Sequence, residues 1–429
     1  MRRLRFLHAA DLHIDSPLRG LDARDGAPVE RLRGATRQAF VALVDLALRQ
    51  QVNLVILAGD LYDGDWTDFR TGLFVHAQLA RLAAPGILVF VVRGNHDAES
   101  IITRQLPRQD HVHVFSSRSA QTRVLPALGV AVHGRSFPDR AVTEDLVPGY
   151  PAPVAGCFNI GVLHTSLTGS PDHGTYAPTR LDRLIATGYD YLALGHIHAR
   201  QVVRESAPRI VFPGNLQGRH AQEIGPKGCE IVTVEDGYIT QTEFVALDVV
   251  RWHVLSLDCQ GLEDIDALCD RFAASLEAAI AADRDRLHVL RVRLQGDSRL
   301  HRVEACQPGT LEAALHAWLH QRDLADVWIE RVLLQLRSPL DRAAAAARPD
   351  AVGEVVRLVD QLTQDATALP QWALAALGSM PVLPADLGDV RAERLTPDDW
   401  RALLADAEAM VLAQLGAGLS ESALPDDAA

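Results

Sequence analysis

The chain has 429 residues, with 42 Lys plus Arg against 55 Asp plus Glu and a formal net charge of −13. At about 100–200 residues per domain this length fills two or three folded units, and 48% hydrophobic with 23% charged residues is an ordinary globular composition. These figures exclude a disulfide-stapled miniprotein and a chain disordered throughout, and they leave no overall positive field for nucleic acid, so a polyanionic substrate needs a local basic patch or bound cations.

Up to about residue 247, short apolar runs alternate with amphipathic stretches, the rhythm of an α/β domain. The run 4–9 leads into Asp11-Leu12-His13. A helix is predicted over 30–51, and the run 53–58 then ends at Gly59-Asp60-Leu61-Tyr62-Asp63. A second helix over 67–83 precedes the run 87–92 and Gly94-Asn95-His96-Asp97. The runs 159–163 and 189–194 end at His164 and at Gly195-His196-Ile197-His198. From 212 to 247, short strands with glycine punctuation predict a second sheet. Residues 249–337 read strand, helix, strand, helix, strand, a small α/β domain. Beyond Pro339 the sequence is Ala-rich and helical, broken by Pro349, Pro370, Pro381, Pro384 and Pro397. The expected domains are therefore 1–247, 248–338 and a helical region 339–418, with a frayed tail at 419–429. In the helical region Val352, Val355, Val356, Val359 and Leu362 share one helical face, which packs on its own domain or receives a coiled coil.

The five cysteines, Cys157, Cys229, Cys259, Cys269 and Cys306, are odd in number and include no Cys-x-x-Cys pair. Neither a disulfide framework nor a zinc ribbon is expected, and a reducing cytoplasm fits. Met1-Arg2-Arg3-Leu4-Arg5 imitates the start of an export signal, but the apolar run stops at His8 and Asp11 follows. No run approaches the ~18 apolar residues of a membrane helix, so no membrane contact is expected. There is no Gly-x-x-x-x-Gly-Lys-Ser/Thr loop and no Gly-x-Ser-x-Gly elbow, which argues against P-loop ATP hydrolysis and serine-hydrolase chemistry.

Taken singly, each polar cluster has a plain explanation, because an Asp after a strand often caps a turn or helix. His133, His253, His288 and His316 are read in that way, as satisfied structural residues. Five clusters, each delivered at the end of a strand in one domain, are a site, since α/β sheets place their chemistry there. Imidazole, carboxylate and amide oxygen without thiolate suit Mn²⁺, Fe²⁺ or Zn²⁺. Seven candidate ligands are too many for one ion and right for two. Two ions roughly 3.5–4 Å apart clamp a phosphoryl group and activate water, so phosphoester hydrolysis is the expected reaction.

The order Asp-x-His, Gly-Asp-x-x-Asp, Gly-Asn-His-Asp, His, Gly-His-x-His resembles the calcineurin-like metallophosphoesterase superfamily. The stretches Phe6-Leu7-His8-Ala9-Ala10-Asp11-Leu12-His13-Ile14-Asp15-Ser16-Pro17-Leu18 and Phe212-Pro213-Gly214-Asn215-Leu216-Gln217-Gly218-Arg219-His220 resemble its DNA repair exonuclease branch, the SbcD and YhaO type. The resemblance implies an α/β fold: a two-sheet sandwich flanked by helices, with a small α/β capping domain and a helical C-terminal region. It implies Asp11, His13 and His198 on one metal, Asn95, His164 and His196 on a second, and Asp60 bridging both, with Mn²⁺ as the expected ion. His96 would contact the scissile phosphate and protonate the leaving 3′-oxygen, with Asp97 orienting its ring. Asp63 stands where eukaryotic relatives carry a histidine that helps discriminate exonuclease from endonuclease action, so that selectivity does not transfer. Tyr62 is two residues after Asp60, not three, and the purple acid phosphatase pattern is missing. Arg135, Arg180, Arg219 and His220 are candidate DNA contacts. The implied activity is a DNA phosphodiesterase, an exonuclease with endonuclease action open, in repair or end processing. The implied partners are DNA and an SbcC-like coiled-coil ATPase, and a homodimer is admitted. A small-molecule phosphatase or cyclic phosphodiesterase of the same superfamily is the alternative, to which the acidic charge lends support.

Overall fold

Alternating apolar residues in the first strands set the layering. β1 (Arg3–Ala9), β2 (Leu54–Ala58), β3 (Leu88–Val92) and β4 (Val112–Val114) are parallel neighbours. Phe6, Leu54, Ile56, Phe90 and Val92 join one buried cluster, while Leu7, Val55, Leu57, Val89 and Val91 join another. A strand buried on both faces needs a covering layer on each. On one face lie α1 (Val29–Arg49) and α2 (Phe69–Ala80), through Phe40, Leu43, Val44, Val75 and Leu79. The other face packs on a second sheet through Val130, Val132, Ile160, Val162, Tyr191 and Val211. The computed structural model describes residues 3–16, 26–63, 69–98, 108–167, 176–364, 368–378 and 396–421.

The second sheet comprises β5 (Gln121–Leu125), β6 (Val130–Gly134), β7 (Phe158–His164), β8 (Tyr191–Gly195), β9 (Gln201–Arg204) and β10 (Arg209–Phe212), in the order β5-β6-β7-β8-β10-β9. Its outer face is covered by α3 (Leu181–Ala186), where Leu184 meets Leu192, Leu194, Ile210 and Phe212. β11 (Gly228–Glu235) and β12 (Tyr238–Ala246) complete the first sheet as β12-β11-β1-β2-β3-β4. The result is the α/β sandwich with flanking helices that the resemblance implies. Because β1, β2 and β3 run parallel, as do β6, β7 and β8, their C-terminal ends are gathered along one rim.

The chain divides into two compact units. One comprises residues 1–254, 283–290 and 326–330, and the other 255–282, 291–325 and 331–429. β13 (Val250–Asp258), β14 (Leu287–Asp297) and β15 (Val327–Arg337) form a three-stranded sheet. In the first unit, Val250, Trp252, Leu287, Val289 and Trp328 from its strand starts cluster with Leu32 and Ala35 of α1.

In the second unit, α4 (Ile265–Ile280) begins at Asp264, whose carboxylate accepts the Ala267 N–H at 2.8 Å. It buries Leu268, Phe272, Leu276 and Ile280 at four-residue spacing. The unit continues with α5 (Leu300–Cys306), α6 (Thr310–Gln321), α7 (Arg342–Ala346), α8 (Ala351–Gln364), α9 (Ala368–Gly378) and α10 (Pro397–Glu421). The apolar face of α8 is filled by this unit's own helices: Val352 and Val356 meet Leu412 of α10, and Val359 and Leu362 cluster with Leu369, Trp400 and Leu404. Of the expected tail, residues 422–429 lie outside the described residues, as do 379–395 with Pro381 and Pro384.

Trp252 is among the largest fully enclosed side chains, and its Nε1 donates to the Gly218 carbonyl at 3.0 Å. Trp252→Ala is expected to lower the unfolding free energy by about 3–5 kcal/mol, measured by denaturant titration of the full chain.

Candidate metal centre

Backbone hydrogen bonds lace the strand ends together before any side chain is considered. Asp11 N donates to Gly59 O at 3.0 Å, His13 N to Asp60 O at 3.0 Å and Thr165 N to Gly195 O at 3.1 Å. Asp11, His13, Asp60 and His196 all hold positive φ, at 52°, 44°, 52° and 105°. Non-glycine residues adopt that region only where surroundings over-determine it, as at sites. Space is equally constrained. A Cβ on Gly94 would lie 2.2 Å from Asp60 Oδ1, and one on Gly59, whose φ is +99°, 2.2 Å from His164 Nδ1.

These constraints bring the metal-binding candidates into buried and half-buried groups. Asp11, His13 and His198 form one triad, Asp11, Asp60 and His164 a second, and His13, Asp60 and His96 a third, the candidate atoms of each lying within 4.8 Å of one another. Asn95 Oδ1 lies 3.0 Å from His164 Nε2. The His196 backbone N–H donates to both Asp11 carboxylate oxygens, at 3.1 and 3.0 Å, and its ring stands edge-on to His164 at 5.3 Å and to Tyr176 at 5.5 Å.

Whether the cluster suits cations is decided by its protons. His164 Nδ1 donates to Ala58 O at 3.0 Å, which leaves Nε2 facing Asn95 Oδ1 at 3.0 Å and Asp60 Oδ2 at 3.4 Å, both acceptors. His198 Nδ1 donates to Glu223 Oε1 at 2.7 Å, and its Nε2 faces His13 Nε2 at 3.2 Å. Lone pairs therefore converge on two spots. Burial alone lowers the His164 pKa, but the Asp60 charge reverses this and lifts it to about 9. Burial likewise raises Asp60, while His164, His13 and His96 outweigh it and hold the carboxyl well below its ordinary range. A cluster that draws a proton onto His164 to balance Asp60 has the charge deficit that a divalent ion fills. The N/O donor set, without thiolate, matches borderline-to-hard ions.

His96 sits at the edge of this cluster, about two-fifths exposed, with its Nδ1 3.0 Å from Asp63 Oδ1. That contact raises the His96 pKa against the effect of burial. The expectation that Asp97 orients the His96 ring is corrected by the structure, because the Asp97 carboxylate is turned to the backbone. It accepts N–H groups from Leu61 at 3.1 Å, Tyr62 at 3.0 Å and Gly94 at 3.3 Å. Asp97 pins the Asp60 and Asn95 loops together, and Asp63 holds the imidazole.

The candidate DNA contacts divide in two. Arg219 and His220 lie beside the cluster: Arg219 grips Glu223, and His220 Nε2 is 3.6 Å from the same carboxylate. Arg180 is exposed and pairs with Asp182 at 3.0 Å, and Arg135 bonds the Ser117 carbonyl at 3.4 Å and faces Glu144 at 3.6 Å. Glu223, the acceptor of the His198 proton, escapes the sequence reading altogether. Its only sequence signal is its place three residues after His220 in a Gly-rich segment.

Residues 4–200 match the family described as calcineurin-like phosphoesterase, and residues 252–337 match the middle domain of metallophosphoesterase YhaO. The chain carries a calcineurin-like metallophosphoesterase domain. It is 36% identical over 268 residues to the uncharacterized metallophosphoesterase YhaO of Bacillus subtilis, covering 62% of this chain and 65% of that relative, just under two thirds of its length. It is 22% identical over 286 residues to the DNA double-strand break repair protein Mre11 of Sulfurisphaera tokodaii, covering 65% of this chain and 72% of the relative. Over 125 residues it is 33% identical to a nuclease SbcCD subunit of Rhodobacter capsulatus, covering 27% of each. The metallophosphoesterase domain thus carries residues that fit a dinuclear site.

His96→Asn is expected to lower phosphodiester hydrolysis by about 10²–10⁴-fold with metal content unchanged, and Asp63→Asn to lower it by part of that. Steady-state rates with elemental analysis of the same samples check both. Parallel loss of metal and activity in His96→Asn would make His96 a ligand instead.

Proposed function

We propose that this chain hydrolyses DNA phosphodiester bonds at a two-cation centre, as an exonuclease, with endonucleolytic cleavage open to it, in DNA repair or end processing. The observation that carries this reading is the His96–Asp63 pair standing at the edge of the Asp60 cluster: a proton donor beside the place where cations and a phosphate would meet. Two bound divalent ions supply Lewis-acid polarisation of the phosphoester and a nucleophile at neutral pH. Asp11, His13 and His198 would hold one, Asn95, His164 and His196 the other, with Asp60 shared. Asp63 keeps His96 protonated so that it can give its proton to the leaving oxygen.

The names of the Mre11 and SbcCD relatives support DNA as the substrate class, and the SbcCD relative supports an SbcC-like ATPase as partner. Charge points the same way about the partner. A chain of net charge −13 attracts duplex DNA weakly at long range, so firm engagement needs another subunit. Mn²⁺ is the proposed ion and the cytoplasm the proposed compartment. Among the described residues no helix is long and apolar enough to cross a membrane.

EDTA is expected to abolish cleavage of a DNA oligonucleotide, and Mn²⁺ to restore it better than Mg²⁺, which disfavours imidazole ligands. Equal restoration by Mg²⁺ counts against this site. The acidic charge keeps a small-molecule phosphatase or cyclic phosphodiesterase in view, and a chromogenic phosphodiester assayed beside the oligonucleotide separates the two.

A further inference from the structure

The segment between β10 and β11 carries Gly214, Asn215, Gln217, Gly218, Arg219, Glu223 and Lys227. It fastens His198 at two points. The carbonyl of His198 accepts from Asn215 N at 3.2 Å and from Lys227 Nζ at 2.9 Å, and its Nδ1 donates to Glu223 Oε1. Glu223 is buried, and its other oxygen accepts from Asn215 Nδ2 at 2.9 Å and Arg219 N at 2.8 Å. Burial alone would raise the Glu223 carboxyl; His198 and Arg219 hold it well below the ordinary range.

Arg219 then reaches in two directions. Its Nη2 and Nε fork onto the two oxygens of Glu223, at 2.8 and 3.3 Å. Its Nη1 lies 3.5 Å from Ser16 Oγ and 3.9 Å from Asp63 Oδ2, and Ser16 Oγ donates to that same Asp63 oxygen at 2.7 Å. The other Asp63 oxygen holds His96. A continuous path of polar atoms therefore runs from His198 through Glu223, Arg219 and Asp63 to His96. The guanidinium side chain is only 16% exposed, and the bidentate edge that would grip a phosphate is already spent on Glu223. The loop is fixed from behind as well: Gln217 Oε1 accepts from Val249 N at 2.9 Å, and Gln217 Nε2 donates to Val250 O at 2.6 Å.

We propose that Arg219 is a positioning residue that ties the orientation of His198, through Glu223, to that of His96, through Asp63, and that it does not clamp substrate phosphate. This rests on the two-cation reading of the site. Lysine cannot replace the guanidinium, because one ammonium group cannot reproduce the fork on Glu223 and the reach toward Asp63 together.

The test uses full-length protein stripped by chelator and titrated with Co²⁺, read by calorimetry and by visible absorption. Wild type is expected to take up two ions. Arg219→Lys, Arg219→Gln and Glu223→Gln are expected to weaken one of them by about 10–100-fold, with an altered spectrum for that ion and the other unchanged. Binding of a fluorescent single-stranded oligonucleotide, followed against salt, is expected to keep the wild-type slope in the uncharged variant Arg219→Gln. Unchanged Co²⁺ affinity together with weaker oligonucleotide binding and a slope reduced by about one would overturn the proposal and make Arg219 a phosphate contact. Should the two glutamine variants fail to fold by circular dichroism, Arg219→Lys decides the matter by the metal reading: one Co²⁺ weakened with an altered spectrum supports the positioning role, and two Co²⁺ bound as in wild type overturn it. A wild-type stoichiometry below two overturns the two-cation reading itself, an outcome distinct from failure of the positioning role.

Discussion

The structure turns on one buried carboxylate. Asp60 sits where the ends of the two sheets meet, with His13 at 3.9 Å, His164 at 3.4 Å and the His96 backbone N–H donating to its Oδ1 at 3.0 Å. An ionised carboxylate in such a place costs far more than it returns unless positive charge accompanies it. Much of the surrounding architecture answers that demand. β1 and β3 flank β2 and bring His13 and Asn95, and the second sheet supplies His164 and His198 from across the interface. The apolar packing between the sheets is what obliges these groups to stay close, since separating them would expose Phe6, Ile56, Phe90, Ile160 and Tyr191 together.

Around Asp60 the polar groups form two tiers. Side chains facing the cluster turn ring nitrogens and carboxylate oxygens toward one another, and the proton drawn onto His164 by Asp60 marks where positive charge is wanted. Behind them, other groups keep each ring in place: the Ala58 carbonyl for His164, Glu223 for His198 and Asp63 for His96. Such backing fixes which nitrogen carries the proton and so which one is presented. His8 extends the scheme below the rim, held between the Tyr191 hydroxyl at 3.0 Å and the Leu194 carbonyl at 3.1 Å, with burial pushing its pKa down to about 3. It is a neutral strut, and its nitrogens are spoken for.

Much of this was legible in the sequence, and what was not has a physical reason. The sandwich and the cluster residues could be read because strand periodicity and strand-end polar groups are local signals; α2 falls within the range 67–83, and α1 starts one residue before the range 30–51 and ends inside it. The short helix α5 escaped, since seven residues give too little periodicity to detect. Asp97 and Asp63 were harder. Asp97 adjoins His96 in sequence and Asp63 lies more than thirty positions before it, and only three-dimensional register shows that Asp97 faces three backbone N–H groups while Asp63 meets the ring. Glu223 lies 25 positions from His198, and no spacing rule links them. The apolar stripe of α8 was read correctly as a stripe. What covers it depended on α10, which the sequence pattern alone did not pair with it.

The two glycines at the strand ends carry a further consequence. Gly59 and Gly94 leave no room for even a methyl group beside His164 and Asp60. The floor of the site is therefore a template of fixed dimensions, and no side chain can be added at either glycine without displacing His164 or Asp60. Diversification of substrate range in a chain built this way is confined to the walls and entrance, while the spacing of the groups at the floor stays fixed. Chemistry and selectivity are thereby assigned to separate parts of the polypeptide, free to vary at different rates.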